Sequence, residues 1–373
     1  MTKILFIYGT RPEAIKMAPL IHEFQKHSEK FKVVICLTGQ HREMLDQVNA
    51  FFGIKADYDL SLMKPNQNLS DLTARCLSGL APILQNEQPA IVFVQGDTTS
   101  VLSGALAAFY EKIPVAHLEA GLRSNQKYSP FPEEMNRKIA GQIAEYHFAP
   151  TKGAVGNLCA DGITKNVYEV GNTVIDALLL GLALLDKGNH IANAGSFGFV
   201  DFSKRLILVT GHRRESFGDG FENICEAIRD IAQRYSDTEI VYPVHMNPNV
   251  QIPVKRILSG LHNVHLIEPL GYPDLLWLMR QCHLVLTDSG GIQEEAPALG
   301  KPVLVMRDVT ERMEGVEAGT ARLVGTSRES IYNNCVELLD FPESYERMSK
   351  AVNPYGDGKT SQRIVEIIGN AHR

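Results

Sequence analysis

Short apolar runs recur along the chain at intervals set by intervening polar stretches. They fall at Ile4–Tyr8, Lys32–Thr38, Ile91–Gln95, Pro114–Leu118, Tyr146–Ala149 and Tyr168–Val170. They then resume at Arg205–Thr210, Glu239–Val244, Val264–Ile267, Leu284–Thr287 and Val303–Met306. Runs of this length, without strict alternation, read as strands buried on both faces, as in a parallel sheet. Segments of helical period lie between them, for example from Pro12 through Phe24, from Gly220 to Tyr235, and again in the tail from Tyr355 to Ile368. The strand–helix pattern pauses at Gly171-Asn172, crosses a Gly- and Asn-rich connection near 187–202, and restarts at Arg205. Repeated alternation of this kind predicts an α/β chain with two doubly wound, Rossmann-like domains facing across a central cleft. The expected domains are 1–170 plus the C-terminal helix 357–373, and 171–356.

In open parallel sheets ligands gather beyond the carboxyl ends of the strands, so polar residues just past each run become candidates. After Leu284–Thr287 comes Asp288-Ser289-Gly290-Gly291-Ile292-Gln293-Glu294-Glu295. Glycines at a helix start let an anion approach the free N–H groups and the positive end of the dipole. Glu295 lies four residues beyond Gly291, on the same helical face, where it can meet a group attached to that anion. Arg11 and Lys16 follow the first run and add positive charge at its end; Pro12 suits a first helical turn. Asp97 follows Ile91–Gln95, and Glu119 follows Pro114–Leu118. Each has a plainer reading, Asp97 as a helix N-cap and Glu119 as a paired surface acid, but the pair together favours a site. Glu133 and Glu134 sit in a proline-bound stretch, and His212-Arg213-Arg214 and His245 follow strands of the second half.

Composition narrows the partners. The chain has 373 residues, a formal net charge of −6 and no basic block, which argues against nucleic acid as a partner. Its six cysteines are scattered without a Cys-x-x-Cys pair, so neither structural zinc nor a disulfide framework is expected. His262 and His265 lack a third ligand in sequence. Gly356-Asp357-Gly358-Lys359-Thr360 ends like a phosphate loop, but Asn353 stands where that motif needs its first glycine. The N-terminal apolar run is too short for a signal peptide, and the run 177–185 falls far below the ~20 residues of a spanning helix. The expectation is a protein of the cytoplasm that does not enter the membrane.

One family carries these stretches in this order. Gly9-Thr10-Arg11-Pro12-Glu13-Ala14-Ile15-Lys16, Gly39-Gln40-His41-Arg42, Gly96-Asp97-Thr98, Glu119-Ala120-Gly121-Leu122-Arg123, Gly211-His212-Arg213-Arg214-Glu215 and the Asp288–Glu295 stretch follow one another over nearly the whole chain. The sequence resembles the bacterial non-hydrolysing UDP-N-acetylglucosamine 2-epimerases. The resemblance implies the GT-B architecture, a homodimer, no cofactor and no metal. It also implies UDP-N-acetylglucosamine and UDP-N-acetylmannosamine as ligands, for the supply of surface polysaccharide. Carried over by position, it implies Asp97, Glu119, Glu133 and His212 as catalytic groups. Contacts to UDP or the substrate would fall on Arg11, Lys16, Asp97, Glu119, His212, Ser289, Gly290, Gly291, Glu295 and Arg312. A regulatory substrate molecule would meet Gln40, His41, Arg213 and His245. Leu270 and Leu275 depart from the family's pattern, in which relatives can carry Gln and Phe near the uracil. Three other readings use the same fold or ligand: a hydrolysing epimerase, a GT-B glycosyltransferase and a catalytically silent nucleotide-sugar sensor.

Overall fold

A computed structural model describes residues 1–39, 42–62, 67–188 and 197–371. The chain divides into two units, Met1–Leu180 with Tyr355–Arg373, and Gly181–Pro354. Helix Thr173–Asp186 carries the chain from the first into the second.

The strands of the first unit are β1 (Thr2–Tyr8), β2 (Phe31–Leu37), β3 (Tyr58–Asp59), β4 (Ile91–Gln95), β5 (Val115–Leu118), β6 (Tyr146–Ala149) and β7 (Val167–Glu169). Among the described residues they form one parallel sheet in the order β3-β2-β1-β4-β5-β6-β7. β1 lies inside that sheet with helices on both faces, so Ile4 to Tyr8 have no exposed surface. Phe6 on β1 stands in register with Phe93 on β4, and their rings stack at 5.1 Å. Phe24 from helix Arg11–Lys26 meets both edge-on. That ring cluster seats the helix against the sheet.

In the second unit the strands are β8 (Arg205–Thr210), β9 (Thr238–Pro243), β10 (Val264–Ile267), β11 (Leu284–Thr287), β12 (Val303–Val305) and β13 (Ala321–Leu323). Their order is β10-β9-β8-β11-β12-β13, again parallel. Ile207 and Val209 on β8 and Leu286 on β11 pack against Phe221, Ile224 and Ile228 of helix Asp219–Arg234. That helix is strongly two-faced, with its apolar stripe buried in this core.

Each sheet reverses its winding once, between β1 and β4 in the first unit and between β8 and β11 in the second. A sheet that winds both ways leaves a crevice at the carboxyl ends beside its reversal. The loops at Gly9 and Gly96 flank the first reversal, and those at Gly211 and Asp288 flank the second.

The C-terminal helix Thr360–Ala371 belongs to the first unit for a local reason. The buried carboxylate of Asp176 accepts hydrogen bonds from the Thr360 and Ser361 amides at 3.3 and 2.7 Å, capping that helix. The Asn172 amide also donates to the Tyr355 carbonyl at 2.7 Å. Among the described residues no helix is long and apolar enough to cross a membrane.

Candidate active site

In the first unit, three carboxylates gather where the strands end. Asp97 follows β4, but it does not cap the next helix. Thr98 does that, its Oγ accepting from the Val101 amide. The Asp97 carboxylate instead receives an Arg137 guanidinium at 2.6 Å, and Asn136 donates to its main-chain carbonyl at 2.8 Å. Desolvation raises the Asp97 pKa, opposed by the Arg137 charge and reinforced by Glu119 and Glu133; Lys16 also opposes it. A carboxyl held above its ordinary range is suited to proton transfer.

Glu119 follows β5 with its side chain almost wholly buried. Lys16 and Asn172 bond one carboxylate oxygen, and Gln95 bonds the other. Its backbone takes φ +59°, in the left-handed region that non-glycine residues seldom occupy. That conformation costs about 1–3 kcal/mol and persists only where surrounding contacts enforce it, a pattern frequent at active sites. Glu119 is therefore not a paired surface acid.

Glu133 opens helix Glu133–Ile143, and its Oε2 is buried without a hydrogen-bond partner. The adjacent Glu134 has a different job: its fully buried carboxylate accepts from the Ser124 and Asn125 amides at 2.9 and 3.2 Å and ties down that loop. Arg11 forms the first helical position after β1. The buried carboxylate of Glu13 accepts from the Gly9 and Thr10 amides and from the Thr98 hydroxyl, joining the loops after β1 and β4.

The second unit presents a helix start with an arginine over it. Helix Gly290–Ala298 begins directly after Ser289, and the Ser289 hydroxyl makes no capping bond. Pro297 falls in the last turn of this short helix, not in its first. At Gly290, a Cβ would lie 2.6 Å from Cζ of Arg312, so only glycine lets that guanidinium rest over the first turn. Arg312 is oriented by Glu294 at 2.8 Å and by Glu311 at 2.5 Å. Burial opposes ionisation of Glu311, yet Arg312, with Arg307 and Arg213, brings its carboxyl down to about 2. The same positive field favours an anion at the helix start. Glu295 stands beside Gly291 as the four-residue spacing predicts, with the Tyr272 hydroxyl donating to it at 2.8 Å.

His212 lies just past β8, on a loop fixed from both sides. Tyr242 donates to the Gly211 carbonyl at 2.9 Å, and Asp288 accepts from the His212 and Arg213 amides at 2.6 and 2.8 Å. The His212 ring stacks on His245, with centroids 5.3 Å apart and planes 10° from parallel. Its pKa is lowered by burial, with Asp288 opposing and His245 and Arg213 adding to the fall.

The residues singled out from sequence thus fall into two groups. Asp97, Glu119 and Glu133 stand with Lys16 in the first unit. His212, Arg213 and His245 stand together in the second, which also carries Ser289, Gly290, Gly291, Glu295 and Arg312. Gln40 and His41 lie outside the described residues. Sequence reasoning missed Arg137, Gln95, Asn172 and Glu294 as partners of these groups. Arg137 had a signal, since it lies four residues beyond Glu133 on one helical face. His265 is engaged by Glu239 at 2.5 Å, and no cluster of three or more potential metal ligands occurs among the described residues.

Two doubly wound parallel units of this kind define a protein of GT-B architecture. Comparison with known proteins narrows that class. Residues 22–369 match the family model described as UDP-N-acetylglucosamine 2-epimerase. The UDP-N-acetylglucosamine 2-epimerase of Escherichia coli K12 is 53% identical over 371 residues, 99% of this chain and 98% of that one. The crystal structure of the Neisseria meningitidis UDP-GlcNAc 2-epimerase bound to UDP-GlcNAc is 49% identical, with a TM-score of 0.91 over 99% of this chain and 100% of that one. The Methanocaldococcus jannaschii enzyme, in complex with UDP-GlcNAc and UDP, is 35% identical at a TM-score of 0.81, covering 99% of this chain and 100% of that one. The chain belongs to the UDP-N-acetylglucosamine 2-epimerase family, and its enzyme class is therefore isomerase.

Proposed function

We propose that this chain interconverts UDP-N-acetylglucosamine and UDP-N-acetylmannosamine without net hydrolysis. The C2 proton of the sugar is not adjacent to a carbonyl, so enolisation cannot epimerise it. Loss of UDP from C1 with removal of the C2 proton gives 2-acetamidoglucal: the proton passes to an enzyme carboxylate, the C2–H electrons form the C1=C2 double bond, and the C1–O electrons leave with the diphosphate. Return of a proton to the opposite face of C2, with UDP rebinding at C1, gives the epimer. This chemistry needs proton-transfer groups at the sugar and positive charge on the departing diphosphate.

The observation that carries the reading is the division of labour between the two strand-end clusters. Asp97, Glu119 and Glu133, with Lys16 and Arg137, make an acid–base group in the first unit. We assign Ser289, Gly290, Gly291, Arg312 and His212 of the second unit to the diphosphate, Glu295 to the ribose, and Arg11 to the substrate's charge. The domain carrying the acids is accordingly the first, and that holding UDP the second. Relatives whose structures contain UDP-GlcNAc, or UDP-GlcNAc with UDP, support this ligand class. Incubation with UDP-N-acetylglucosamine alone, followed by NMR, tests it: UDP-N-acetylmannosamine is expected. Free N-acetylmannosamine with UDP would mean the hydrolysing reaction instead.

Homodimerisation and a cytoplasmic site of action complete the proposal. Phe109 and Tyr110 at the end of helix Thr99–Tyr110 are well exposed, a surface suited to a subunit contact. Light scattering coupled to gel filtration is expected to give twice the mass of one chain.

Substrate regulation belongs to the same proposal. Arg213 and His245 adjoin His212, and with Gln40 and His41 they are assigned to a second UDP-N-acetylglucosamine. Binding at two coupled sites must be reciprocal, with a usual coupling of ~1–3 kcal/mol, or roughly 5–150-fold. UDP-N-acetylmannosamine alone is therefore expected to react after a lag that traces of UDP-N-acetylglucosamine abolish. Equal initial rates without a lag, or unaltered activation in His41→Ala, would remove the regulatory site.

A further inference from the structure

Asp288 is buried at 1% exposure immediately after β11, yet no step of the reaction above uses it. Its Oδ2 accepts from two consecutive amides, those of His212 and Arg213, at 2.6 and 2.8 Å. Its Oδ1 has no hydrogen-bond partner and lies 3.5 Å from Nδ1 of His212. The carboxylate therefore holds the loop with one oxygen and faces the ring edge with the other. A buried carboxylate oxygen left unpartnered is costly, and it gains its partner if Nδ1 carries a proton. At 3.5 Å the contact stands at the outer limit of hydrogen-bond reach.

We propose that Asp288 is a positioning residue for His212, holding the Nδ1 edge of its imidazole so that Nε2 is turned to the diphosphate. The proposal rests on the reading that His212 serves UDP. With Nδ1 bonded to Asp288, Nε2 lies on the opposite edge of the ring. A protonated ring can then donate Nε2–H to the leaving phosphate while Asp288 balances its charge. Burial, His245 and Arg213 all work against that proton, and Asp288 is the group that favours it. Tyr242 fixes the preceding carbonyl and contributes no charge of its own. The ring is further confined by its stacking on His245, so the loop, the ring plane and the ring edge each have a separate restraint.

The test is ¹⁵N NMR of histidine-labelled full-length protein, with the His212 signal assigned by its loss in His212→Gln. In wild type the neutral ring is expected to carry its proton on Nδ1. In Asp288→Asn the protonation midpoint is expected to fall and the Nε2–H tautomer to take over, because the charge favouring the cation is gone and an amide can donate to Nδ1. Turnover is expected to fall about 10²-fold, as for a misplaced catalytic group. The double variant Asp288→Asn/His212→Gln is expected to be no slower than His212→Gln alone. An Nε2–H tautomer in wild type, an unchanged midpoint in Asp288→Asn, or additive losses in the double variant would overturn the assignment. Should Asp288→Asn fail to fold, the wild-type tautomer decides alone. If His212→Gln leaves turnover intact, the diphosphate role of His212 fails, while tautomer and midpoint still decide the Asp288 contact.

Discussion

Asp97 and Glu119 are the same kind of group past neighbouring strands, yet their surroundings set them apart. Glu119 is bonded by Lys16, Gln95 and Asn172, which fixes its position. Asp97 is raised in proton affinity chiefly by burial, with Glu119 and Glu133 adding to the rise and the Arg137 guanidinium opposing it. Asp97→Asn and Glu119→Gln are each expected to lower turnover by about 10²–10⁴-fold, the usual contribution of an acid–base group, with UDP affinity by calorimetry unchanged. Losses of about tenfold or less in both would take them out of the chemistry. Arg137 supplies the largest influence favouring ionised Asp97. Arg137→Met is thus expected to raise the Asp97 pKa further and shift the matching limb of the kcat/KM profile to higher pH. The sign is the same whether Asp97 gives or takes the proton, since either limb follows its pKa. A shift to lower pH would contradict the ion pair.

Among the elements, the strand ends do most of the positioning, and glycines permit the closest approaches there. A Cβ on Gly290 would collide with the Arg312 guanidinium, the far end of a flexible side chain. Gly290→Ala is accordingly expected to fold with little loss of stability while pushing Arg312 aside. Losing one charge-assisted contact of about 1.5–3 kcal/mol would weaken UDP by roughly 10- to 150-fold. Undiminished UDP affinity in calorimetry would show that Arg312 makes no such contact. Gly9 is different, because a Cβ there would fall 1.8 Å from the buried Thr38 hydroxyl and 2.6 Å from that of Ser100. Gly9→Ala is expected to cost about 1–3 kcal/mol in urea unfolding, as overpacking does. The long buried strands were legible from sequence because a strand covered on both faces must be continuously apolar. β3 and β13 were not, being two and three residues long and carrying Asp59 and Arg322. The residues beyond strand ends were legible for the same reason, since the runs mark where each strand stops. Their partners were not, because Lys16 and Glu119 lie 103 positions apart and meet only through the sheet order. Asp288 stands beyond its strand as Asp97 and Glu119 do, but the adjoining Ser-Gly-Gly turn drew the phosphate reading and left its carboxylate without a role.

For the whole molecule, the two-unit α/β plan and the family membership agree with what periodicity and ordered motifs predict. The central claim is that the C2–H bond breaks and re-forms through enzyme carboxylates while UDP is retained. The most direct measurement follows UDP-N-acetylglucosamine by ¹H NMR with the enzyme in D₂O. UDP-N-acetylmannosamine carrying deuterium at C2 is the predicted product, with deuterium also entering C2 of the recovered substrate. A product with its C2 hydrogen fully retained would contradict the account and point to a route without proton exchange.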